Sequence, residues 1–192
     1  MAKLYFRYSS MGAGKSLDLL KVAHNYKEKN KKIVILTSAK DNRHEIGIIK
    51  SRVGLKEKAL CCFFENTNIF DIIDEIKQEE KPCCVLIDES QFLTKQQVKQ
   101  LTDVVDKLNI SVICYGLRND FKGEPFEGSC YLLTLADTIE EIKTICHCGR
   151  KAVMNLRVNG DNPVYEGKQI EIGGNEKYVA VCRKHYKEGK IK

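Results

Sequence analysis

The sequence has no apolar run that approaches the roughly 20 residues needed for a membrane-spanning helix. Residues 1–7 are too few, and too soon interrupted by charge, to form a signal peptide, so we expect a cytoplasmic protein with no membrane partner. Proline is scarce, at 3 residues, and no segment has low complexity, which excludes a disordered chain. The 192 residues, 43% of them hydrophobic, suffice for one core domain and a small appendage.

Cysteine is plentiful, at nine residues, but without an export signal we expect reduced, buried or metal-bound thiols and no disulfides. Six of them are expected in the core: Cys61, Cys62, Cys83, Cys84, Cys114 and Cys130. The net charge of +6 is concentrated near the C-terminus, where residues 146–192 hold 10 Lys and Arg against 5 Asp and Glu. The preceding residues hold 22 against 21, and this nearly neutral body argues against a nucleic-acid groove.

Short runs rich in β-branched and aromatic residues predict buried strands. These runs are Leu4–Tyr8, Ile33–Thr37, Cys83–Ile87 and Ser111–Tyr115. Helical periodicity lies between them, for example at Leu17, Leu20 and Ala23, and across residues 98–108. Strands that alternate with helices predict an α/β fold with a parallel sheet flanked by helices. The polar stretch 38–58 predicts a long loop or hairpin.

The pattern changes after residue 136, where short alternating runs surround a loop that contains glycine and asparagine. This change predicts a small C-terminal β module. We therefore divide the chain into an α/β domain, residues 1–143, and a module at residues 144–192.

A glycine-containing loop follows the first predicted strand and precedes a helix. It consists of Ser9, Ser10, Met11, Gly12, Ala13, Gly14, Lys15 and Ser16. In a P-loop, the backbone N–H groups of such a segment surround phosphate oxygens, the lysine binds the β- and γ-phosphates, and the final hydroxyl binds Mg²⁺. The usual first glycine is replaced by Ser9, which leaves an ordinary turn with a surface lysine as the alternative.

Two carboxylates, Asp88 and Glu89, directly follow the third predicted strand. This position is the carboxyl edge of a parallel sheet, where ligands bind. Asp88 suits the Mg²⁺-holding role of a Walker-B aspartate, and Glu89 is then free to act as a general base. An Asp-Glu pair alone would favour a solvated turn, but its place after the P-loop, with a strand and a helix between them, favours a site.

Four segments occur in a characteristic order along the chain. They are the loop 9–16 with Met11, residues 88–92, residues 121–126, and Gly173-Gly174 leading to Tyr178 and Cys182. Together they resemble the zinc-containing, type II thymidine kinase family, over nearly the whole chain from Tyr5 to Tyr186. The resemblance implies a P-loop (RecA-like) parallel sheet flanked by helices, with a small zinc-binding β module and a substrate-covering loop.

The resemblance also assigns roles to individual residues. It implies that residues 9–16 together with Asp88, Glu89, Ser90 and Gln91 hold ATP and Mg²⁺, and that Glu89 also accepts the proton of the nucleoside 5′-hydroxyl. The residues implied to bind thymidine are Met11, Asp41, Arg43, Phe121, Gln169, Ile170, Glu171, Ile172, Gly173 and Tyr178. A homotetramer inhibited by thymidine triphosphate is implied as well. Candidates for stabilising the transferred phosphoryl group are Arg43, Arg52 and Arg118, which the sequence does not rank.

Three cysteines and one histidine near the C-terminus have metal-ligand spacing. Cys146, Cys148, Cys182 and His185 offer three thiolates and an imidazole, a set that suits structural Zn²⁺. The first pair is one residue shorter than the usual C-x-x-C, so His147 competes with Cys148 as a ligand. Four unrelated residues of a reduced protein are the remaining alternative. We expect the zinc to anchor both ends of the substrate-covering loop.

The leading hypothesis is ATP-dependent phosphorylation of thymidine, and of deoxyuridine, at the 5′-hydroxyl, which gives thymidine monophosphate in nucleotide salvage. The alternative is an ATP-driven nucleic-acid-binding protein whose basic zinc module grips a strand, but the nearly neutral body counts against it. A non-catalytic zinc-ribbon adaptor would leave Lys15, Asp88 and Glu89 without a role.

Overall fold

The computed structural model describes residues 1–41, 46–171, 173 and 177–192 of the chain. The strands are β1 (Leu4–Ser9), β2 (Ile33–Ser38), β3 (Ile48–Lys50), β4 (Lys56–Lys58), β5 (Cys61–Phe63), β6 (Cys84–Ile87), β7 (Ser111–Leu117), β8 (Thr138–Glu141), β9 (Met154–Asn159), β10 (Asn162–Val164) and β11 (Tyr178–Val181). The helices are α1 (Lys15–Glu28), α2 (Ile69–Glu80), α3 (Lys95–Leu108), α4 (Glu127–Leu135) and α5 (Arg183–Glu188), and Ser90–Phe92 form a turn of 3-10 helix.

A six-stranded sheet in the order β5-β2-β6-β7-β1-β8 forms the centre of the fold, and its neighbouring strands are all parallel. The four runs predicted from the sequence correspond to its four inner strands. These strands are covered on both faces, which is why they read as continuous apolar runs. The predicted parallel α/β fold is confirmed.

The two edge strands were not predicted. β5 is only three residues long, and β8 carries Glu140 and Glu141. An edge strand has solvent on one side and accommodates charge, so its sequence lacks the apolar run of an inner strand.

Successive residues of the inner strands enter two separate cores. Leu36 belongs to the core that packs against α2, α3 and α4, whereas Leu86 belongs to the core on the opposite face, against α1. Helices therefore cover both faces, as predicted. The buried face of α1 is a correction, because Leu19 is fully buried while the expected Leu17 is 37% exposed.

Capping residues fix the start and end of α3. The Thr94 side chain accepts a hydrogen bond from the backbone N–H of Gln97, and the Gln97 side chain accepts one from the N–H of Thr94. The helix ends at Asn109, which adopts a left-handed conformation. These caps set the length of the helix that connects β6 to β7.

The polar stretch 38–58 contains the antiparallel hairpin β3-β4, as the sequence predicted. A separate antiparallel sheet, β10-β9-β11, forms the C-terminal module around its own small core of Cys146, Ala152, Leu156, Val158, Val181 and Cys182. The predicted β module is therefore present, and the division of the chain at residue 144 stays a prediction. No helix among the described residues is long and apolar enough to span a membrane.

The cysteine prediction is correct only in part. Cys84 and Cys114 are buried and Cys61 and Cys62 are partly buried, but Cys83 and Cys130 are exposed. Cys83 precedes β6 and Cys130 lies on the outer side of α4, so an apolar sequence neighbourhood did not place their side chains in a core.

Candidate active site

The candidate site lies where strands β1, β6 and β7 end, at the carboxyl edge of the parallel sheet. The loop 9–16 follows β1, Asp88 and Glu89 follow β6, and residues 119–126 follow β7. Parallel strands bring these three segments to one edge, which is the usual ligand position in open α/β sheets.

The loop 9–16 turns at two glycines and is crossed by the side chain of Lys15. Gly12 and Gly14 have φ angles of 75° and 89°, which favour glycine, and Gly14 caps the N-terminus of α1. Lys15 lies across the loop, with Nζ 3.1 Å from the Ser9 hydroxyl and 3.3 Å from the carbonyl oxygen of Ser10. Ser9 does not have a positive φ, so the first position of this loop does not require the usual glycine.

The Asp88 carboxylate connects the loop 9–16 to the segment after β6 through two hydrogen bonds. The Ser16 hydroxyl donates to Asp88 Oδ2 at 3.3 Å, and Asp88 Oδ1 accepts the backbone N–H of Glu89 at 3.0 Å. A serine hydroxyl beside a carboxylate oxygen is a donor set that Mg²⁺ binds together with phosphate. The residues present therefore fit a magnesium ion.

Glu89 is buried and its carboxylate has a defined partner. Gln91 Nε2 donates to Glu89 Oε2 at 2.5 Å, and Gln91 Oε1 accepts the backbone N–H of Leu117 at 3.0 Å. Glu89 also has the left-handed backbone conformation, with φ 52° and ψ 37°, which is uncommon for a residue with a side chain. The turn and the glutamine together direct the carboxylate into the adjacent cavity.

A cavity beside Glu89 brings together most of the residues that the resemblance implied for the nucleoside. The predicted residues that line it are Met11, Asp41, Glu89, Gln91, Phe121, Gln169, Ile170, Glu171, Gly173 and Tyr178. Arg43 and Ile172 lie outside the described residues. Ser90 is fully buried and is not among the lining residues. A Cβ added at Gly116 would lie only 2.6 Å from its hydroxyl oxygen, so Ser90 packs tightly against β7.

Phe121 forms one wall of the cavity, and hydrogen bonds fix the turn that carries it. Asp120 Oδ1 accepts the backbone N–H groups of Lys122 and Glu124 at 2.8 and 2.9 Å, which closes the turn that carries Phe121. The Tyr186 hydroxyl donates to the carbonyl oxygen of Phe121 at 2.7 Å. This wall is therefore fixed from both the α/β domain and the C-terminal module.

Sequence reasoning missed several residues that line the cavity. They are Phe92, Leu117, Asn119, Asp120, Phe126 and Asn155. Asn155 is 2% exposed, accepts the backbone N–H of Met11 at 2.7 Å and donates to the carbonyl oxygen of Asn119 at 3.0 Å. Phe92 and Phe126 stand in the motifs noted above, whereas Asn155 has no local sequence signal because its role depends on contacts across the fold.

Two of the three arginine candidates, Arg52 and Arg118, lie among the described residues, and their surroundings differ. Arg52, between β3 and β4, approaches the P-loop: a Cβ added at Gly12 would lie 3.1 Å from its Nη1. Arg118 lies over the ring of Tyr8, 5.5 Å from the centroid. Arg52 thus approaches the loop 9–16 at Gly12, whereas Arg118 packs on Tyr8 in the strand before the loop.

The four predicted metal ligands lie together. The ligand atoms of Cys146, Cys148, Cys182 and His185 are all within 4.8 Å of one another. The sulfurs of Cys148 and Cys182 are 3.9 Å apart, near the separation of about 3.8 Å that tetrahedral Zn–S bonds of about 2.3 Å produce. The residues therefore fit a zinc ion, and Cys148 belongs to the cluster despite the shortened spacing.

A tight turn accommodates that shortened spacing. The N–H of Gly149 donates to the carbonyl oxygen of Cys146 at 2.8 Å, with Gly149 at φ 81°. His147 stacks on His185, with ring centroids 4.3 Å apart, and is not part of the four-residue cluster. Backbone N–H groups, foremost that of His185, lower the pKa of Cys182, and partial burial together with His147 lowers the pKa of His185. Both shifts favour the deprotonated forms that bind zinc.

Comparison with known proteins identifies relatives over almost the whole chain. A family model described as thymidine kinase matches residues 2–186. The chain is 54% identical over 187 residues to a thymidine kinase of Lactiplantibacillus plantarum, covering 97% of this chain and 96% of the relative. It is 56% identical over 189 residues to a thymidine kinase of Haemophilus influenzae, covering 98% and 97%. A thymidine kinase of Streptococcus pyogenes serotype M3 is 56% identical over 188 residues, covering 97% of each chain.

Proposed function

The chain belongs to the thymidine kinase family, and from this premise we propose that it transfers the γ-phosphoryl group of ATP to the 5′-hydroxyl of thymidine. The observation that carries the proposal is that Glu89 and the P-loop residue Met11 line the same cavity at the carboxyl edge of the sheet. A phosphate-binding loop and a carboxylate that can accept a proton are thus adjacent to one enclosed space. Phosphoryl transfer to an alcohol requires these two groups together.

The P-loop is proposed to bind the ATP phosphates through its backbone N–H groups and through Lys15. Lys15 is 8% exposed, so its charge acts in a site from which much of the water is excluded. Ser16 and Asp88 would hold Mg²⁺, which neutralises charge on the phosphates when it is bound. The proximity of Arg52 to Gly12 makes it the arginine that we propose for further phosphate contact.

Glu89 is proposed as the general base that accepts the proton of the 5′-hydroxyl. Its burial and its hydrogen bond from Gln91 restrict the carboxylate to few orientations. A base that is held in place loses little freedom when the alcohol binds, which lowers the barrier for proton transfer.

The pyrimidine ring is proposed to lie among Met11, Phe121 and Tyr178, which line the cavity. Backbone groups of the segment 169–173 would then recognise its polar edge, as the family resemblance implies. Deoxyuridine differs from thymidine by one methyl group, so we propose it as a second substrate with a modestly lower kcat/KM.

The zinc ion is proposed to have a structural role. Three thiolates and one imidazole complete a tetrahedral set and leave no open position for a reacting ligand. From the family resemblance we also propose a homotetramer that thymidine triphosphate inhibits, and a cytoplasmic location. Sedimentation and an inhibition assay test the first two.

A panel of nucleosides, assayed for ATP-dependent monophosphate formation, tests the proposal. We expect thymidine to be the preferred substrate, deoxyuridine to follow, and purine nucleosides to give no product. ADP formation that depends on added DNA or RNA, and not on thymidine, would overturn the proposal in favour of a nucleic-acid-dependent ATPase.

A further inference from the structure

Arg157 is a buried cation behind the wall of the nucleoside cavity. It lies on β9 opposite Tyr178 of β11 in the strand register and is 5% exposed. It does not itself line the cavity. Burial of a charge is unfavourable unless the charge is paired and hydrogen-bonded, so the position of this side chain calls for a reason.

The guanidinium group contacts three residues of the cavity wall at once. Its Cζ lies 3.6 Å from the centroid of the Phe121 ring. Nε and Nη2 donate to the Tyr178 hydroxyl at 3.2 and 2.9 Å. Nη1 lies 3.2 Å from Glu171 Oε2. The planar guanidinium can stack on a ring and donate in several directions together, which an ammonium group cannot do.

Arg157 also reaches the backbone of the segment that covers the cavity. Nη2 donates to the carbonyl oxygen of Lys168 at 3.1 Å. The Tyr178 hydroxyl, which accepts from Arg157, donates in turn to the carbonyl oxygen of Glu171 at 2.7 Å. Both ends of residues 168–171 are therefore linked, directly or through Tyr178, to one side chain. This segment includes the wall residues Gln169 and Ile170.

Gly167 gives independent support for a close fit at this position. It has a φ of 123°, and a Cβ added there would lie 2.9 Å from Arg157 Nη1. The chain thus lacks a side chain at the point where the segment backbone passes the guanidinium.

We propose that Arg157 is a positioning residue that determines thymidine affinity, because it holds Phe121, Tyr178 and residues 168–171 in the arrangement that encloses the base. This inference rests on the proposed function, since it takes the occupant of the cavity to be the nucleoside. Arg157 acts through the three wall residues and does not touch the reacting atoms. Its loss should weaken thymidine binding without weakening the interaction with ATP.

The test compares Arg157→Met, which keeps much of the side-chain volume, with Arg157→Lys, which keeps the charge. We expect Arg157→Met to raise the thymidine KM by about 10-fold or more, because stacking and several hydrogen bonds are lost together. The ATP KM and the kcat at saturating thymidine should change by less than about threefold. Arg157→Lys should recover part of the thymidine affinity and so lie between Arg157→Met and the unaltered protein.

Lys192→Met is the matched control, since it removes a cation from the same module at a surface ion pair with Asp161 that is 2.9 Å long. It should leave every constant unchanged. A thymidine KM that is the same in Arg157→Met as in Lys192→Met would overturn the inference. So would a Met variant in which kcat and both KM values change together and which the Lys variant does not improve, because that pattern indicates a general structural defect.

Tyr178→Phe keeps the test decisive if Arg157→Met fails to fold or to retain zinc. This variant keeps the ring and removes the hydroxyl that joins Arg157 to the Glu171 carbonyl. We expect a higher thymidine KM, and a double variant with Arg157→Lys whose effects are less than additive. An unchanged KM, or strictly additive effects, would overturn the inference.

The unaltered protein separates failure of the inference from failure of the proposed function. If it phosphorylates thymidine and the Arg157 variants behave as the control does, only the inference fails. If it phosphorylates no nucleoside in the presence of ATP and Mg²⁺, the proposed function fails, and the inference fails with it.

Discussion

At the scale of single residues, Glu89 combines an unusual backbone with an ordered carboxylate. Its left-handed conformation follows directly after β6, and the neighbouring Asp88 accepts its backbone N–H. A non-glycine residue in this region is strained, and such strain is retained where the surroundings require one orientation. Gln91 fixes the orientation of the Glu89 carboxylate, because it donates to Glu89 Oε2 and is itself held by the backbone N–H of Leu117 in β7.

Glu89→Gln should lower kcat by about 10²–10⁴-fold, the usual contribution of a general base. Glutamine has nearly the same size and its side-chain oxygen can still accept from Gln91, so thymidine and ATP should bind with nearly unchanged dissociation constants. Steady-state formation of thymidine monophosphate gives kcat, and calorimetric titration gives the two affinities.

The control for this variant is Glu28→Gln, which makes the same chemical change at the exposed end of α1. It should have the kcat of the unaltered protein. A Glu89→Gln variant with near-normal turnover would assign proton acceptance to another group.

The residues whose position at the site could be predicted are those with a signal from their neighbours in the sequence. Lys15 follows a glycine loop and Asp88 ends an apolar strand, so local pattern was sufficient for both. Asn155 and Arg157 were missed because important partners are distant in the sequence: Met11 is 144 positions from Asn155, and Tyr178 is 21 positions from Arg157. No spacing in the sequence encodes those contacts.

At the scale of elements, α4 packs unusually closely on the turn that follows Glu89. A Cβ added at Gly128 would lie 2.6 Å from the carbonyl oxygen of Ser90, 2.7 Å from that of Leu93 and 3.0 Å from that of Gln91. These are backbone atoms, so a side chain at Gly128 must displace either the helix or the turn. The absence of a Cβ here lets α4 pack against the turn that follows Glu89.

Gly128→Ala should therefore destabilise the protein. Overpacking costs about 1–3 kcal/mol, and we expect about 2–3 kcal/mol here because the added Cβ meets backbone atoms. Alanine returns about 1 kcal/mol of helix propensity, so the unfolding free energy should fall by about 1–2 kcal/mol. The kcat should also fall, because the displaced turn carries Gln91 and follows Glu89. Denaturant unfolding and a turnover assay on the same preparation measure both effects.

Cys130→Ala, at an exposed position on the same helix, is the comparison for Gly128→Ala. Its unfolding free energy should stay within about 0.5 kcal/mol of the unaltered protein. Equal stability of the two variants would mean that the turn after Glu89 adjusts freely to α4.

Among the elements, the inner strands could be predicted and the edges could not. β8 lies at the sheet edge and carries two glutamates, so it lacks the apolar run of an inner strand. Helix α4 has a glycine in its first turn, which is not typical of a helix sequence. Helix α2, by contrast, shows a readable period in Ile69, Ile73 and Ile76. The parallel order of the strands followed from the alternation of strands and helices, which is a property of the whole chain.

At the scale of the whole molecule, one small sheet and the segments that flank its strands contribute residues both to the Cys/His cluster and to the cavity beside Glu89. Cys146 precedes β9 and Cys182 directly follows β11. β9 carries Asn155 and Arg157, and β11 begins with Tyr178. A metal ion that joins the two cysteines would hold the strands in the register that the cavity wall needs. The P-loop instead follows β1 of the larger sheet, and it contacts the module through the hydrogen bonds of Met11 to Asn155 and of Ser10 to the carbonyl oxygen of Ala152.

Removal of zinc with a chelator should therefore weaken thymidine binding by about 10-fold or more and nucleotide binding much less, because a structural zinc site contributes to folding of the module around it. Titration calorimetry with thymidine, and separately with a non-hydrolysable ATP analogue, measures both affinities, and added Zn²⁺ should restore the affinity for thymidine.

His185→Ala should reproduce the chelated state, since His185 belongs to the ligand cluster. His147→Ala is the matched control and should retain one zinc per chain, because His147 stacks on His185 and lies 3.6 Å from the Cys146 sulfur but is outside the four-residue ligand cluster. Equal loss of both affinities, or zinc loss in the His147 variant alone, would contradict this division of roles between the two sheets.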